Sequence, residues 1–306
     1  MTANRTFRAG VDSSHLCYSP APAAVKAGSA RNSLEKVVNS DKDPFARDPD
    51  PAFRRRAQWI ARSLHREAPD GPRILDIGCG RGYYFAVYDQ LGASATGVDA
   101  DTSALAAARA AHPTSTFRQV QAECLPFDDN SFDVIVMSEV LEHMPDPALG
   151  LSEAARVLVP DGLLLATVPH AGYPFAWDPV NWIGEAVFKR HVSTGTFAGI
   201  WAGHERLYRP EELHQQVTDA GFDVIEQIAQ TRWCLPFVHN LLYGLGKPMI
   251  EANLLPDVRR NERRRGPSAA LIALARTMVD AADRLNGDTV PEGRPALNLC
   301  IAARKP

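Results

Sequence analysis

The sequence contains little of what would place it in several large classes of protein. Its five cysteines among 306 residues are scattered and never spaced as Cys-x-x-Cys, which argues against a disulfide framework or a zinc site and favours a reducing compartment. No segment approaches the ~20 consecutive apolar residues of a membrane span, and the amino terminus lacks the apolar core of a signal peptide. The formal net charge of -3 gives no basic field for collecting nucleic acid. We therefore expect a soluble, cytoplasmic protein that does not bind nucleic acid.

The apolar residues that are present alternate between strand and helix patterns. With 45% hydrophobic residues, the chain can bury one α/β core and still have material for additions. A helix is predicted after Asp50, a capping residue, because Pro51 suits the first helical position. Short apolar runs predict strands at 73–77, 94–99, 116–120, 132–138, 162–168, 222–230 and 296–303, with helices between most of them. Strands that alternate with helices imply a parallel, doubly wound sheet.

By composition the chain divides into a core and several additions. Residues 1–49 show no sustained periodicity and are interpreted as an extension, whereas 50–230 and 296–306 make up the α/β core. Residues 231–295 are predicted to form a helical cap insertion, because apolar side chains recur on one helical face from Pro267 onwards. Residues 170–205 concentrate aromatic side chains, namely Tyr173, Phe175, Trp177 and Trp182. That density suits a lid over an apolar acceptor, or equally a small satellite core.

A glycine-rich turn follows the first predicted core strand, in the run Asp76-Ile-Gly78-Cys79-Gly80-Arg-Gly82. Missing side chains there would let a ligand lie against the backbone, although a tight turn with close packing gives the same string. Asp99 ends the next strand, where a carboxylate can accept both hydroxyls of a ribose. Nicotinamide-binding domains favour G-x-G-x-x-G, and an acidic residue at Asp76 would repel a pyrophosphate while suiting an ammonium group. The pattern favours a cationic ligand over a dinucleotide.

Together, this glycine-rich turn and the motifs at 121–135, 136–143 and 156–162 make the sequence resemble the class I S-adenosylmethionine-dependent methyltransferases. The resemblance is to the branch that includes the ubiquinone-biosynthesis O-methyltransferases. The resemblance covers residues 73–230. It implies a Rossmann-like sheet of seven strands, mostly parallel with an antiparallel edge strand, and S-adenosylmethionine as the cofactor. By this resemblance, the cofactor-binding residues are Asp76, Gly78, Cys79, Gly80 and Gly82 for the methionine part, Asp99 and Ala100 at the ribose, Ala122 and Glu123 at the adenine, and Met137, Ser138 and Glu139 nearest the reactive methyl.

Transfer to an oxygen acceptor would also need a base, for which His143 and His204 are the candidates, because histidine takes up protons near neutral pH. The alternatives are that His143 is a packing element of its motif and that His204 is a surface residue. Glu142 and the pair Asp128-Asp129 have the chemistry of metal ligands, but residues 128–131 look like a solvated turn, so no metal is predicted.

The predicted function is methyl transfer to a small, largely apolar, hydroxylated acceptor. A saccharide or lipid-linked acceptor, a noncatalytic cofactor-binding protein and a nicotinamide oxidoreductase are the alternatives. A basic cluster lies in the predicted cap, at Arg259, Arg260, Arg263, Arg264 and Arg265. It is interpreted as a solvated face or as a peripheral contact with an anionic membrane or a phosphate-bearing acceptor. The sequence leaves the oligomeric state open.

Overall fold

A computed structural model describes residues 43–46, 48, 50–195, 197–234 and 277–306. Within these residues the strands form one sheet of seven, in the order β3-β2-β1-β4-β5-β7-β6. The strands are β1 (Arg73–Ile77), β2 (Ser94–Asp99), β3 (Thr116–Gln119), β4 (Phe132–Ser138), β5 (Leu158–Pro169), β6 (Asp223–Gln230) and β7 (Asn298–Arg304). The helices are α1 (Pro51–Glu67), α2 (Phe85–Gln90), α3 (Thr102–Ala111), α4 (Pro147–Val157), α5 (Pro179–Ile183) and α6 (Pro210–Asp219), with a π-helix at Gly184–Phe188 and a 3₁₀ turn at Gly199–Trp201.

The sheet confirms the predicted α/β fold. Strands β1 to β5 pair in parallel, and β7 runs antiparallel between β5 and β6. The antiparallel strand therefore lies one place in from the edge, which β6 occupies. Chain order reverses between β1 and β4, and at such a switch point the loops after neighbouring strands diverge and leave a crevice at their carboxyl ends.

Side chains of each central strand alternate between two apolar layers, as the period of a strand requires. In β1, Ile74 belongs to the layer covered by α1, α2 and α3, whereas Leu75 belongs to the layer covered by α4 and α6. The buried strands are thus apolar on both faces, which is typical of a parallel sheet with helices on each side.

Helix α1 begins as its sequence predicts. The Asp50 carboxylate accepts a hydrogen bond from the backbone N–H of Ala52, and Pro51 occupies the first helical position. From the predicted extension, Phe45 packs edge-on against Phe53 of this helix. Most of the extension lies outside the described residues.

The two described ends of the predicted cap insertion, 231–234 and 277–295, border the core. Residues 277–283 are helical and meet α1 through ion pairs of Arg54 with Asp280 at 2.8 Å and with Asp283 at 2.7 Å. Residues 235–276, which include the Arg259–Arg265 cluster and most of the predicted cap helix, lie outside the described residues. In the part of the chain that is described, no helix combines the length and apolar character needed to traverse a bilayer.

Candidate active site

The glycines of the turn after β1 have different surroundings. A Cβ on Gly78 would come within 2.2 Å of Val140 Cγ2, and one on Gly82 within 3.2 Å of His112. A Cβ on Gly80 would meet no described heavy atom within 4 Å, although its φ of +51° is also left-handed. Gly78 and Gly82 are therefore required for packing, whereas Gly80 faces open space, where a ligand could lie against the backbone.

Asp76 lies beneath this turn and is almost fully buried. The Tyr88 hydroxyl donates to its Oδ2 at 3.0 Å. Burial raises the pKa of Asp76 to about 8, and the charge of Asp99 adds to the rise. A buried carboxylate with only a neutral donor beside it would gain most from a cationic ligand. This environment suits a positively charged ligand group, and binding of the cofactor's ammonium group by Asp76 stays a prediction.

Cys79 and Met137, two of the expected cofactor-binding residues, have their side chains in the core. Cys79 is buried, and its Sγ would lie 2.7 Å from a Cβ on Gly97 of β2, so its thiol packs against that strand. Burial raises the pKa of the thiol well above its ordinary value. Met137 is fully buried in the layer that also contains Met144 of the loop before α4. The whole residue is buried, backbone included, so Met137 has no exposed surface to offer a ligand.

Asp99 ends β2 and fixes the conformation of the turn. Its Oδ2 accepts from the Gly80 N–H at 2.7 Å, and its Oδ1 accepts from the Asp101 N–H at 2.8 Å. A carboxylate has about four acceptor positions, so both oxygens can still accept from a ribose. Ala100 follows directly and accepts at its carbonyl from the Gln119 side chain at 3.2 Å.

The loop after β3 returns to the same edge of the sheet. The Val120 N–H donates to the Asp99 carbonyl at 3.1 Å, and this bond brings the loop that carries Ala122 and Glu123 back beside the end of β2. Both are half-buried. Leu125 anchors the loop in the core and donates its N–H to the Glu153 carboxylate at 2.8 Å.

A directional chain of hydroxyl groups ends at Glu139, directly after β4. Thr167 donates to Glu139 Oε1 at 3.1 Å, so the single Thr167 proton is used and Ser138 must donate to Thr167 at 2.9 Å. Ser138 in turn accepts from Tyr84 at 2.8 Å. Arg56 of α1 lies 3.4 Å from Glu139 Oε2. Glu139 is thus held between a hydroxyl chain and a guanidinium.

The backbone of Glu139 is strained, since its φ is +57°, in the left-handed region that non-glycine residues rarely adopt. The sequence predicted Ser138 and Glu139 as site residues but did not indicate their partners Arg56, Tyr84 and Thr167. No motif marks Arg56, because it stands on a helix that precedes the glycine turn.

The two candidate histidines meet in space, although 60 residues separate them. Their rings lie 4.7 Å apart in an edge-on arrangement. His143 Nδ1 is 2.7 Å from the Gly203 carbonyl, which can only accept, so Nδ1 is the donor of this bond, and in the neutral imidazole the lone pair is on Nε2. Oε1 of Glu142 lies 3.9 Å from His143 Nε2 and 4.0 Å from His204 Nε2. We refer to Glu142, His143 and His204 as the His–Glu cluster.

Glu142 is the unusual member of this cluster. Its side chain is fully buried, and neither carboxylate oxygen has a hydrogen-bond partner among the described residues. Burial raises the pKa of Glu142 well above its ordinary value, and the charge of Glu139 raises it further. A carboxyl group that lies 3.9 Å from one imidazole nitrogen and 4.0 Å from another has the chemistry to exchange protons with them.

The ligand atoms of the His–Glu cluster also lie within 4.8 Å of one another, close enough to surround a metal ion. The sequence predicted no metal, and it placed Glu142 among residues with suitable chemistry. Proton transfer and metal binding therefore remain two chemical uses of one geometry, and a chelator distinguishes them.

The aromatic segment at 170–205 forms a small satellite core and also exposes aromatic side chains, while its role as a lid over the acceptor stays a prediction. Tyr173 and Trp177 are buried in a satellite core with Ile200. Phe175 and Trp182 are half exposed and pack edge-on against each other at 5.3 Å. The segment therefore has an apolar interior and an apolar outer surface.

Known proteins share this architecture and part of the sequence. Residues 75–166 match a family described as a methyltransferase domain. The chain is 32% identical over 167 residues to a ubiquinone biosynthesis O-methyltransferase of Brucella anthropi. The aligned region covers 53% of this chain and 64% of that relative, so the chain spans less than two thirds of the relative's length. A protein of the same name from Agrobacterium fabrum is 32% identical over 212 residues, 66% of this chain and 76% of the relative. The crystal structure of the cyclase SpnF superimposes with a TM-score of 0.51 at 21% identity, covering 81% of this chain and 80% of SpnF, a likeness of fold alone.

Proposed function

This chain belongs to the class I S-adenosylmethionine-dependent methyltransferases, and we propose that it transfers the methyl group to a hydroxyl oxygen of a small, largely apolar acceptor. The observation that carries the proposal is the His–Glu cluster. A hydroxyl must lose a proton when its oxygen is methylated, and the neutral imidazole of His143 has its lone pair on Nε2, beside a buried carboxyl group. The O-methyltransferase names of the relatives support the same acceptor atom.

The residues of the candidate site fit the cofactor part by part. Asp76 would pair with its ammonium group, the backbone at Gly80 would lie against the methionine part, and Asp99 would accept from the ribose. Ala122 and Glu123 would border the adenine. Bound there, the cofactor supplies a methyl group on a sulfonium, which is already a good leaving group.

The remaining parts of the site would then act on the acceptor. Nε2 of His143 takes the hydroxyl proton, and Glu142 stabilises the imidazolium that forms. His204 is more enclosed than His143, and its ring limits where the His143 ring can move. Glu139, fixed by Thr167 and Arg56, is a second carboxylate that can orient a hydroxyl group. Proximity and exclusion of water supply the rest of the rate enhancement.

The test measures formation of S-adenosylhomocysteine with hydroxylated aromatic acceptors and with the matching amines. We expect oxygen-methylated products, and a loss of roughly 10²- to 10⁴-fold in kcat for His143→Gln. The control is His214→Gln, an exposed histidine of α6 that hydrogen-bonds Gln227 at 3.2 Å. Affinity for S-adenosylhomocysteine should stay unchanged in both variants. Methylation of the amines alone would contradict the proposal, and so would full activity of His143→Gln.

A saccharide or lipid-linked acceptor is the second candidate. The exposed aromatic faces of Phe175 and Trp182 favour it, because such faces stack on sugar rings or contact lipid chains. The predicted cap at 231–295 stays part of this proposal as a cover for the acceptor. Adding glycosides and prenylated phenols to the same assay separates the two candidates.

A further inference from the structure

The carboxylate of Asp76, beneath the glycine-rich turn, is held by a single side chain of α2. The alternation of β1 puts Asp76 on the same face as Ile74, in the layer that also contains Tyr88. Its neighbours in register, Gly97 on β2 and Val136 on β4, carry no charge. Among the residues that the structure describes, the Tyr88 hydroxyl is the one hydrogen-bond donor to this carboxylate, 3.0 Å from Oδ2.

The surroundings of Tyr88 keep its hydroxyl in place. Its side chain is fully buried, and the ring packs edge-on against Phe85 with centroids 5.2 Å apart. Phe85 in turn packs against Phe117 of β3 at 4.6 Å. The Tyr88 carbonyl accepts from the Ala93 N–H at 3.0 Å, which ties the end of α2 to the chain that enters β2. Because a buried hydroxyl without a partner is costly, the Tyr88 hydroxyl stays directed at Asp76.

The hydroxyl orients the carboxylate without neutralising its charge. Burial raises the pKa of Tyr88 well above its ordinary value, so this side chain stays an uncharged donor. The other titratable groups that interact electrostatically with Asp76 are Asp99, Cys79 and Tyr84, none of which is a cation. Oδ2 is occupied by Tyr88, whereas Oδ1 has no donor among the described residues. A cationic ligand group would supply the missing partner at Oδ1.

We propose that Tyr88 is a positioning residue for the cofactor: its hydroxyl fixes Asp76 so that Oδ1 receives the ammonium group. The inference rests on the proposed pairing of Asp76 with that group, and it is independent of the acceptor. A buried carboxylate that is oriented by a neutral donor gains most from the charge of a ligand. The pair should therefore favour ligands that carry the amino acid part of the cofactor over nucleosides that lack it.

The pair also makes binding depend on pH. Because burial raises the pKa of Asp76 to about 8, its carboxyl group is largely protonated near neutral pH in the ligand-free protein. The ammonium group pairs with the carboxylate, so binding releases that proton, and affinity should increase as pH rises toward 8. The hydrogen bond from Tyr88 lowers the pKa of Asp76, so its removal should move this increase to higher pH.

The test is titration calorimetry of the full chain with S-adenosylhomocysteine and with 5′-methylthioadenosine, which lacks the amino acid part, over a range of pH. We expect Tyr88→Phe to weaken S-adenosylhomocysteine binding roughly tenfold near neutral pH and to shift its pH profile upward. The affinity for 5′-methylthioadenosine should not change, which also shows that the variant is folded. Tyr208→Phe is the matched control, because the Tyr208 hydroxyl is also buried and donates to the Leu141 carbonyl at 3.3 Å. It should bind both ligands as the wild type does.

Asp76→Asn separates the role of Tyr88 from that of Asp76. It should weaken S-adenosylhomocysteine binding alone and remove the pH dependence, and adding Tyr88→Phe to it should cause no further loss. Wild-type affinity and pH profile in Tyr88→Phe would overturn the proposal. Equal losses for the two ligands would also overturn it, because Tyr88 would then only support the fold. Unchanged binding by Asp76→Asn would instead refute the pairing of Asp76 with the ammonium group, on which the proposal rests.

Discussion

Two glycines with similar backbone conformations and open surroundings, Gly80 in the turn after β1 and Gly92 after α2, provide a test variant and a matched control. Gly80 and Gly92 both have left-handed φ angles, +51° and +64°, and a Cβ on either would meet no described heavy atom within 4 Å. Alanine at either position should therefore cost about the same free energy of unfolding, roughly 1–2 kcal/mol, from backbone strain alone. Only Gly80 lies in the turn proposed to contact the cofactor.

We expect Gly80→Ala to weaken binding of S-adenosylhomocysteine by roughly tenfold or more, about 1.4 kcal/mol, because the added methyl would occupy space that the ligand needs. Gly92→Ala should bind as the wild type does. Both variants should lose a few degrees in melting temperature, about 2–4 °C per kcal/mol for a chain of this size. Isothermal titration calorimetry and a thermal melt of each variant give the two quantities separately.

Gly78→Ala adds a contrast, since its Cβ would lie 2.2 Å from Val140 Cγ2 and force that side chain to move. It should lose more stability than either other variant. The reasoning would be refuted if Gly80→Ala and Gly92→Ala bound S-adenosylhomocysteine with equal dissociation constants. The open space beside Gly80 would then have no part in cofactor binding.

Three further predictions concern the carboxylates and the His–Glu cluster. Asp99→Ala should weaken S-adenosylhomocysteine binding roughly tenfold. Asp101→Ala should lower the melting temperature, as loss of a helix cap, without changing affinity. Equal affinity losses in the two variants would remove Asp99 from the ribose site. Because the pKa of Asp76 is raised to about 8, the folded cofactor-free protein retains a proton that the unfolded chain releases above its ordinary pKa. Its stability should therefore fall as pH rises from about 4 through 8, and melts of Asp76→Asn should show a flatter dependence. Treatment with a chelator should leave methyl transfer unchanged if the cluster acts by proton transfer; activity lost on chelation and restored by a divalent cation would instead show a metal site.

The sequence predicted the sheet well because local patterns determine it. The apolar runs at 73–77, 94–99 and 132–138 coincide with β1, β2 and β4. The predicted fifth strand was too short: β5 runs from Leu158 through the turn at Asp161, whose φ is +61°. The Asp161 N–H donates to the Lys305 carbonyl at 2.8 Å, and that bond to the end of the chain cannot be read from nearby residues.

The same holds for the candidate site: residues in short motifs could be predicted from the sequence, whereas their partners from distant parts of the chain could not. Glycine, aspartate and histidine stand at recognisable spacings, so the sequence could name Gly80, Asp99 and His143. Their partners depend on parts of the fold that no motif records. Arg56 reaches Glu139 only because α1 packs across the sheet, and burial raises the pKa of Glu142 only after the whole loop has folded.

His204 is the clearest case of a residue whose role depends on the fold of a distant segment. The Glu205 N–H donates to the Glu142 carbonyl at 2.9 Å, and this bond returns the chain to the loop after β4. The Arg206 guanidinium strengthens the return by donating to the carbonyls of Leu141 and Met144. The position of the His204 imidazole is therefore fixed by hydrogen bonds from Glu205 and Arg206 to backbone carbonyls on either side of His143. The geometry of the His–Glu cluster therefore depends on how the aromatic segment packs against the loop after β4. We accordingly expect a change in that packing to alter the proposed proton transfer before it alters cofactor binding.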